Sequence, residues 1–193
     1  ELGADVTYRI PERDEGYGLN TNAVREMHED GVELIVTVDN GITALEEAEL
    51  IAELGMTLVI TDHHQPLETL PRAAAIVDAH RADDTSPFHD LCGAGVALKL
   101  VAALDGGDTA MALEQFGELA AIATVADVVT LSGENRYLVQ LGLRLLANTE
   151  RPGLLALLDK SGLTGKAFTS TSIAFGIAPR INAAGRFGSP KTA

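Results

Sequence analysis

Tryptophan is absent from this 193-residue chain, aromatic residues make up 4% of it, and cysteine occurs once. With so few aromatics, a core must be packed by Ala, Val, Leu and Ile. The 46% hydrophobic content is ample for that, which excludes a disordered chain. The lone Cys92 excludes an internal disulfide and any multi-cysteine zinc site. No apolar run approaches the roughly 20 residues of a membrane-spanning helix, and no basic-then-apolar signal opens the chain. The expectation is a soluble, cytoplasmic protein with no membrane contact, acting as a monomer. A phosphate-cradling loop is missing too: 16-GYG-18 does not fit GxGxxG, and no Gly-Lys-Ser or Gly-Lys-Thr occurs, so an ordinary nucleotide-binding module is disfavoured.

Positive charge is scarce: 14 Lys and Arg stand against 28 Asp and Glu, a net charge of −14. Polyanions are usually met by basic surfaces, so simple electrostatic attraction to nucleic acid is disfavoured. Divalent cations held by carboxylates can reverse the sign locally. The chain opens on Glu1 and stops in the Gly/Pro-containing 188-GSPKTA-193, and is read as a piece of something longer.

Three segments repeat one design. The stretches 5-DVTYRI-10, 34-LIVTV-38 and 57-TLVIT-61 are short, apolar and β-branched, the pattern of strands buried on both faces. Each follows a glycine, Gly3, Gly31 or Gly55, suited to the left-handed position that closes a helix. Between them, residues 20–30 and 42–54 read as helices. The second carries an apolar stripe of Leu45, Ala48, Ile51, Ala52 and Leu54, and Thr43 with Glu46 forms a candidate capping box. A fourth short strand is expected at 75-AIVDA-79. From residue 93 the pattern turns helical, with helices expected near 94–104, 109–129, 134–148 and 152–160, then a helix interrupted before Pro179. The fold class is α/β: a parallel sheet with flanking helices, Rossmann-like, followed by a helical portion.

Ligands collect outside the carboxyl ends of parallel strands, and chemistry-bearing residues stand there. Strand 34–38 runs into Asp39, and strand 57–61 into Asp62, His63 and His64. Asp127 interrupts an apolar helical run in 124-TVADVVTL-131. If these converge, carboxylates and imidazole without thiolate suit Mn²⁺ or Mg²⁺, with imidazole tilting toward Mn²⁺. Two such ions activate a water and steady a leaving oxygen in phosphoryl transfer. The competing reading is plain: 39-DNG-41 is also a turn, an Asp after a strand is also a cap, and two adjacent histidines point apart, leaving at most one for a metal. A carboxylate at a helix C-terminus is unfavourable with the dipole, which favours a functional Asp127.

The ordered set of Asp-Asn-Gly, Asp-His-His and Ala-Asp-Val-Val resembles the DHH phosphoesterase superfamily. The stretches 10-IPERDEGYGLN-20, 91-LCGAGVALKLVAAL-104 and 178-APRINAAGR-186 narrow the resemblance to its RecJ-like single-strand-specific exonucleases. The resemblance implies a catalytic set of Asp39, Asp62, His63, His64 and Asp127, with Asp39, His63 and Asp127 holding metal. Asp62 would orient a neighbouring imidazole and His64 would face the scissile phosphate. It implies substrate contacts by Arg13 and Tyr17, a terminal-phosphate pocket including Arg180, Asn182 and Arg186, and two ions, Mn²⁺ or Mg²⁺. The implied activity is 5′ to 3′ hydrolysis of single-stranded DNA, with helicase or single-strand-binding proteins as partners.

Other hydrolases of the superfamily, acting on small oligonucleotides, cyclic dinucleotides or pyrophosphate, are the alternative; a catalytically silent scaffold is the second. The family's earlier Asp-x-Asp-x-x-Gly motif is absent from this sequence. The expectation is therefore the central part of a catalytic core, holding at most one metal site well and inactive alone. Residues 1–165 are expected to form the DHH domain and 166–193 a connecting helix.

Overall fold

A computed structural model of the chain describes residues 3–11 and 15–187. Helix α1 (Thr21–Glu29) leads into β1 (Leu34–Val38), α2 (Leu45–Glu53), β2 (Thr57–Thr61) and β3 (Ala75–Val77). Helices α3 (Gly93–Leu104), α4 (Thr109–Ala126), α5 (Gly133–Leu146) and α6 (Pro152–Lys160) follow, then a π-helical segment (Ser172–Ile177) running directly into α7 (Ala178–Phe187). The three strands form one parallel sheet in the order β1-β2-β3. Leu34 pairs with Thr57, Val38 with Thr61, and Thr61 with Val77. All three strands therefore finish at one edge.

The helices beside the sheet end as the sequence suggests. After α1 and α2, Gly31 and Gly55 take positive φ (81° and 77°). Val32 and Met56 then donate back to Met27 and Ile51, closing each helix with a Schellman motif. Val24, Ile35, Ala48, Ile51, Leu58 and Ile60 pack together, so α1 and α2 cover one face of the sheet. A second core joins α4, α5, α6 and the π-helical segment through Ile122, Val125, Leu146, Leu158, Ile173 and Ile177. Helices α4 and α5 approach closely: a Cβ on Gly142 would lie 2.1 Å from Ala121 Cβ and 2.7 Å from Gly117 O.

Several expectations change. Residues 5–10 form no strand; Val6 and Tyr8 are exposed, because β propensity without a ladder partner does not make a strand. Strand β1 is not buried on both faces: Leu34, Val36 and Val38 are 52%, 44% and 47% exposed, whereas Ile35 and Thr37 lie under the helices. The Thr43–Glu46 capping box does not form, since α2 starts later, with Ala44 as its N-cap and no side-chain cap. Helix α4 stops at Ala126, three residues short of the expected end, and Asp127 is its C-cap. The break before Pro179 is a change of helical type: proline has no N–H for the α-helical ladder, and the turn before it widens to π.

The capping difference is measurable. Asn20 caps α1 through its side-chain oxygen, which accepts from Ala23 N at 2.8 Å. Asn20→Ala should cost about 1 kcal/mol in urea unfolding, while Thr43→Ala should stay within about 0.5 kcal/mol of wild type.

Candidate metal centre

Each strand is followed by an aspartate, and the sheet's own hydrogen bonds hold the first two in place. Asp39 N donates to Thr61 O and Asp62 N to Val77 O, both at 3.0 Å, so the ladder continues into the site. Asp39 then turns sharply, with φ 66°, and its carbonyl accepts from the Tyr17 hydroxyl at 2.5 Å. Among the described residues, the other non-glycine with positive φ is Val128, at 60° and beside Asp127. A β-branched residue in that region is strained, so backbone strain falls on Val128, next to the cluster.

His63 stands between two carboxylates. Its Nε2 lies 2.9 Å from Asp39 Oδ1 and 3.5 Å from Asp127 Oδ2. The nitrogen is buried yet makes no hydrogen bond. An imidazole nitrogen left open between two carboxylates is the donor set a divalent cation completes, and oxygen and nitrogen donors without thiolate fit Mn²⁺ or Mg²⁺. One nitrogen from each of His63 and His64 and one Asp39 oxygen lie within 4.8 Å of one another. The two rings therefore do not diverge as expected: the chain has left the strand at Asp62, so strand alternation no longer separates them.

Asp62 is 1% exposed and accepts from Ile42 N (2.9 Å), His63 N (2.8 Å), His64 N (3.3 Å) and His64 Nδ1 (2.6 Å). Burial works against its charge, but the Ile42 amide, the His64 ring and the two histidine amides outweigh burial and hold its pKa below the usual carboxylate value. Burial likewise pulls His64 down, but the hydrogen bond and charge of Asp62 prevail and raise its pKa. An ionised Asp62 can only accept, so His64 Nδ1 carries the proton and its Nε2 is left for another partner.

Asp39 is raised, first by burial and then by the Asp127 carboxylate, against the opposing pull of His63. Burial, followed by the charges of Asp39, Asp62 and Asp127, pushes the Tyr17 hydroxyl to about 12, so it remains a donor. The Tyr17 ring meets His64 edge-on at 5.9 Å and 78°. Beside them opens a cleft of about 370 Å³, lined by Tyr17, Asn40, Thr43, Glu47, Asp62 and His64 among others.

Asp39, Asp62, His63, His64, Asp127 and Tyr17 are thus gathered at one place. Arg180 and Asn182 are not part of that cleft. Arg180 Nη1 donates to Gly176 O at 2.6 Å, and Asn182 borders a separate apolar groove with Ile122, Leu154 and Ile181. Arg13 lies outside the described residues, as does the side chain of Arg186. Two features escaped the sequence reading. Asp78 ends β3, 2% exposed, with its pKa raised by burial; the strand-then-Asp pattern of 75-AIVDA-79 was its signal. The Tyr17 bond to a backbone carbonyl left no signal at all.

Cations bind the ionised carboxylate, so proton and metal compete for Asp39. Because its pKa is raised, Mn²⁺ affinity measured by calorimetry should fall as pH drops through a range where an ordinary aspartate would still be charged. Asp39→Asn should remove most of the affinity, and any pH dependence that survives belongs to the remaining donors, His63 among them.

The comparisons agree with this geometry. The sequence model of the DHH family, N-terminal domain, matches residues 1–130. The single-stranded-DNA-specific exonuclease RecJ of Bacillus subtilis (strain 168) is 44% identical over 187 residues, covering 96% of this chain and 23% of that protein. A crystal structure of exonuclease RecJ bound to manganese superposes with TM-score 0.83 at 38% identity, covering 98% of this chain and 48% of the other. RecJ of Thermus thermophilus in complex with Mn²⁺ gives TM-score 0.74 at 34% identity, over 89% of this chain and 26% of that one. The chain spans about a quarter of the length of the Bacillus relative. With a parallel sheet that ends on Asp39 and Asp62-His63-His64, and a family match over residues 1–130, the chain belongs to the DHH family.

Proposed function

We propose that the protein carrying this chain is a divalent-cation-dependent exonuclease that hydrolyses single-stranded DNA. The observation that carries the reading is His63 Nε2, buried and without a hydrogen bond between the Asp39 and Asp127 carboxylates. The relatives named single-stranded-DNA-specific exonucleases match 95–100% of the chain at 38–44% identity, which supports the same substrate class here. The fit between donor set and cation supports Mn²⁺, with Mg²⁺ as the harder alternative.

Asp39, His63 and Asp127 would hold the cation, which supplies charge for the phosphate and lowers the pKa of a nearby water. Asp62 fixes the His64 ring through Nδ1, leaving Nε2 to donate to a phosphate oxygen. The raised pKa of His64 keeps that ring protonated to higher pH than a free imidazole. Tyr17, 74% exposed, offers a ring face to a base while its hydroxyl stays tied to Asp39. With a net charge of −14, attraction of the phosphate backbone falls first to the bound cation. Arg13, Arg180, Asn182 and Arg186 remain candidates for contacts further along the strand.

The assay is release of mononucleotides from single strands labelled at the 5′ end, with Mn²⁺ present. Asp39→Ala and His63→Ala in the full-length protein should reduce the rate to background. Asp62→Asn, which weakens the hold on the His64 ring and on the amides of Ile42, His63 and His64, should cost about 10–100-fold. Activity retained by the first two variants, or a preference for pyrophosphate or a cyclic dinucleotide over a long strand, would overturn the reading.

A further inference from the structure

The first turn of α3 presses against Asp39 of the metal cluster, and the contact depends on a missing side chain. A Cβ placed on Gly93 would fall 2.4 Å from the Cβ, Cγ and Oδ1 of Asp39. No real Cβ tolerates such a distance, and relief would require Asp39 to move from its own Cβ outward. Gly93 is buried, and its own backbone does not lie in the left-handed region. Glycine is therefore required there by space and not by torsion. Left to local preference, the first turn of a helix would favour alanine over glycine by up to about 1 kcal/mol.

Neither partner can retreat cheaply. Asp39 is pinned by its N–H to Thr61 O and by its carbonyl to Tyr17. The start of α3 is pinned on its other side. Cys92, its N-cap, is buried with Sγ 3.5 Å from Thr124 Oγ1, and that hydroxyl donates to Ala120 O at 2.7 Å. Thr124 lies one turn before Asp127 on α4, and Leu98 and Ala102 of α3 pack on Ala112 and Ala120 of the same helix. The start of α3 therefore sits between the strand end that carries Asp39 and the helix end that carries Asp127.

We propose that Gly93 is a positioning residue for the metal centre: its bare α-carbon lets α3 dock against Asp39 so that the Asp39 carboxylate stands beside His63 Nε2, which Asp127 flanks. The inference deepens the proposed function and rests on it for its meaning in catalysis, but the steric claim stands on the fold alone.

Two measurements on the full chain decide it. The first is a metal-free thermal unfolding cycle of wild type, Gly93→Ala, Asp39→Gly and the double variant. Gly93→Ala should lower Tm in the wild-type background. In the Asp39→Gly background the obstructing atoms are gone, so the same change should raise Tm by about 2–4 °C, the gain from alanine's helix preference. The same shift in both backgrounds, or failure to fold in both, overturns the proposal. The second is Mn²⁺ titration followed by electron paramagnetic resonance. Gly93→Ala should bind at least about tenfold more weakly. Gly95→Ala, in the same turn but with the Leu91 side chain as its nearest neighbour at 3.2 Å, should bind as wild type does. Wild-type affinity in Gly93→Ala also overturns it. If the wild-type chain itself takes no Mn²⁺, the functional reading fails, and the thermal cycle alone still decides the positioning claim.

Discussion

The mutual repulsion of carboxylates crowded at one edge of a parallel sheet is the constraint on which the rest of the site depends. Register places Val38 beside Thr61 and Thr61 beside Val77, so Asp39, Asp62 and Asp78 follow as neighbours. Each is handled differently. Asp62 is buried and satisfied by four donors, which keeps it ionised. Asp78 is buried with one oxygen unpaired and is pushed toward the protonated form. Asp39 is half exposed beside Asp127, with the open nitrogen of His63 between them. That last arrangement calls for positive charge, and the strained Val128 beside Asp127 shows that the fold maintains it against local preference.

The division of labour between Asp62 and Asp39 follows from solvation. A carboxylate fed by backbone amides can be buried and still hold its charge, and it then acts as a fixed acceptor that sets an imidazole tautomer. A carboxylate without such donors remains available to a cation. Adjacent positions in 62-DHH-64 therefore serve as one rigid orienting group and two imidazoles facing one cluster. An excess of acids is then compatible with the proposed polyanionic substrate, because cations held by carboxylates can reverse the local sign.

Much of this was legible in the sequence because parallel strands advertise themselves. The runs 34-LIVTV-38 and 57-TLVIT-61 have the observed strand boundaries, and the glycines at 31 and 55 take the left-handed torsions that their position after a helix implies. Residues 5–10 misled for a physical reason: their short β-branched run matches a strand, but pairing depends on a neighbour that a local pattern cannot reveal. The Thr43–Glu46 box failed similarly, because the chain after Asp39 follows the site, with Ile42 N turned to Asp62, and the helix begins later. The role of Gly93 is the least legible. It is a vacancy needed by a residue 54 positions away, and no propensity or period records which side chain a glycine makes room for.

The central claim is that Asp39, His63 and Asp127 hold one divalent cation. Anomalous diffraction from crystals equilibrated with Mn²⁺ measures it most directly. The account predicts a manganese peak bonded to His63 Nε2 and to carboxylate oxygens of Asp39 and Asp127. A structure at saturating Mn²⁺ with no peak among those three side chains, or with the metal bound elsewhere, would contradict it.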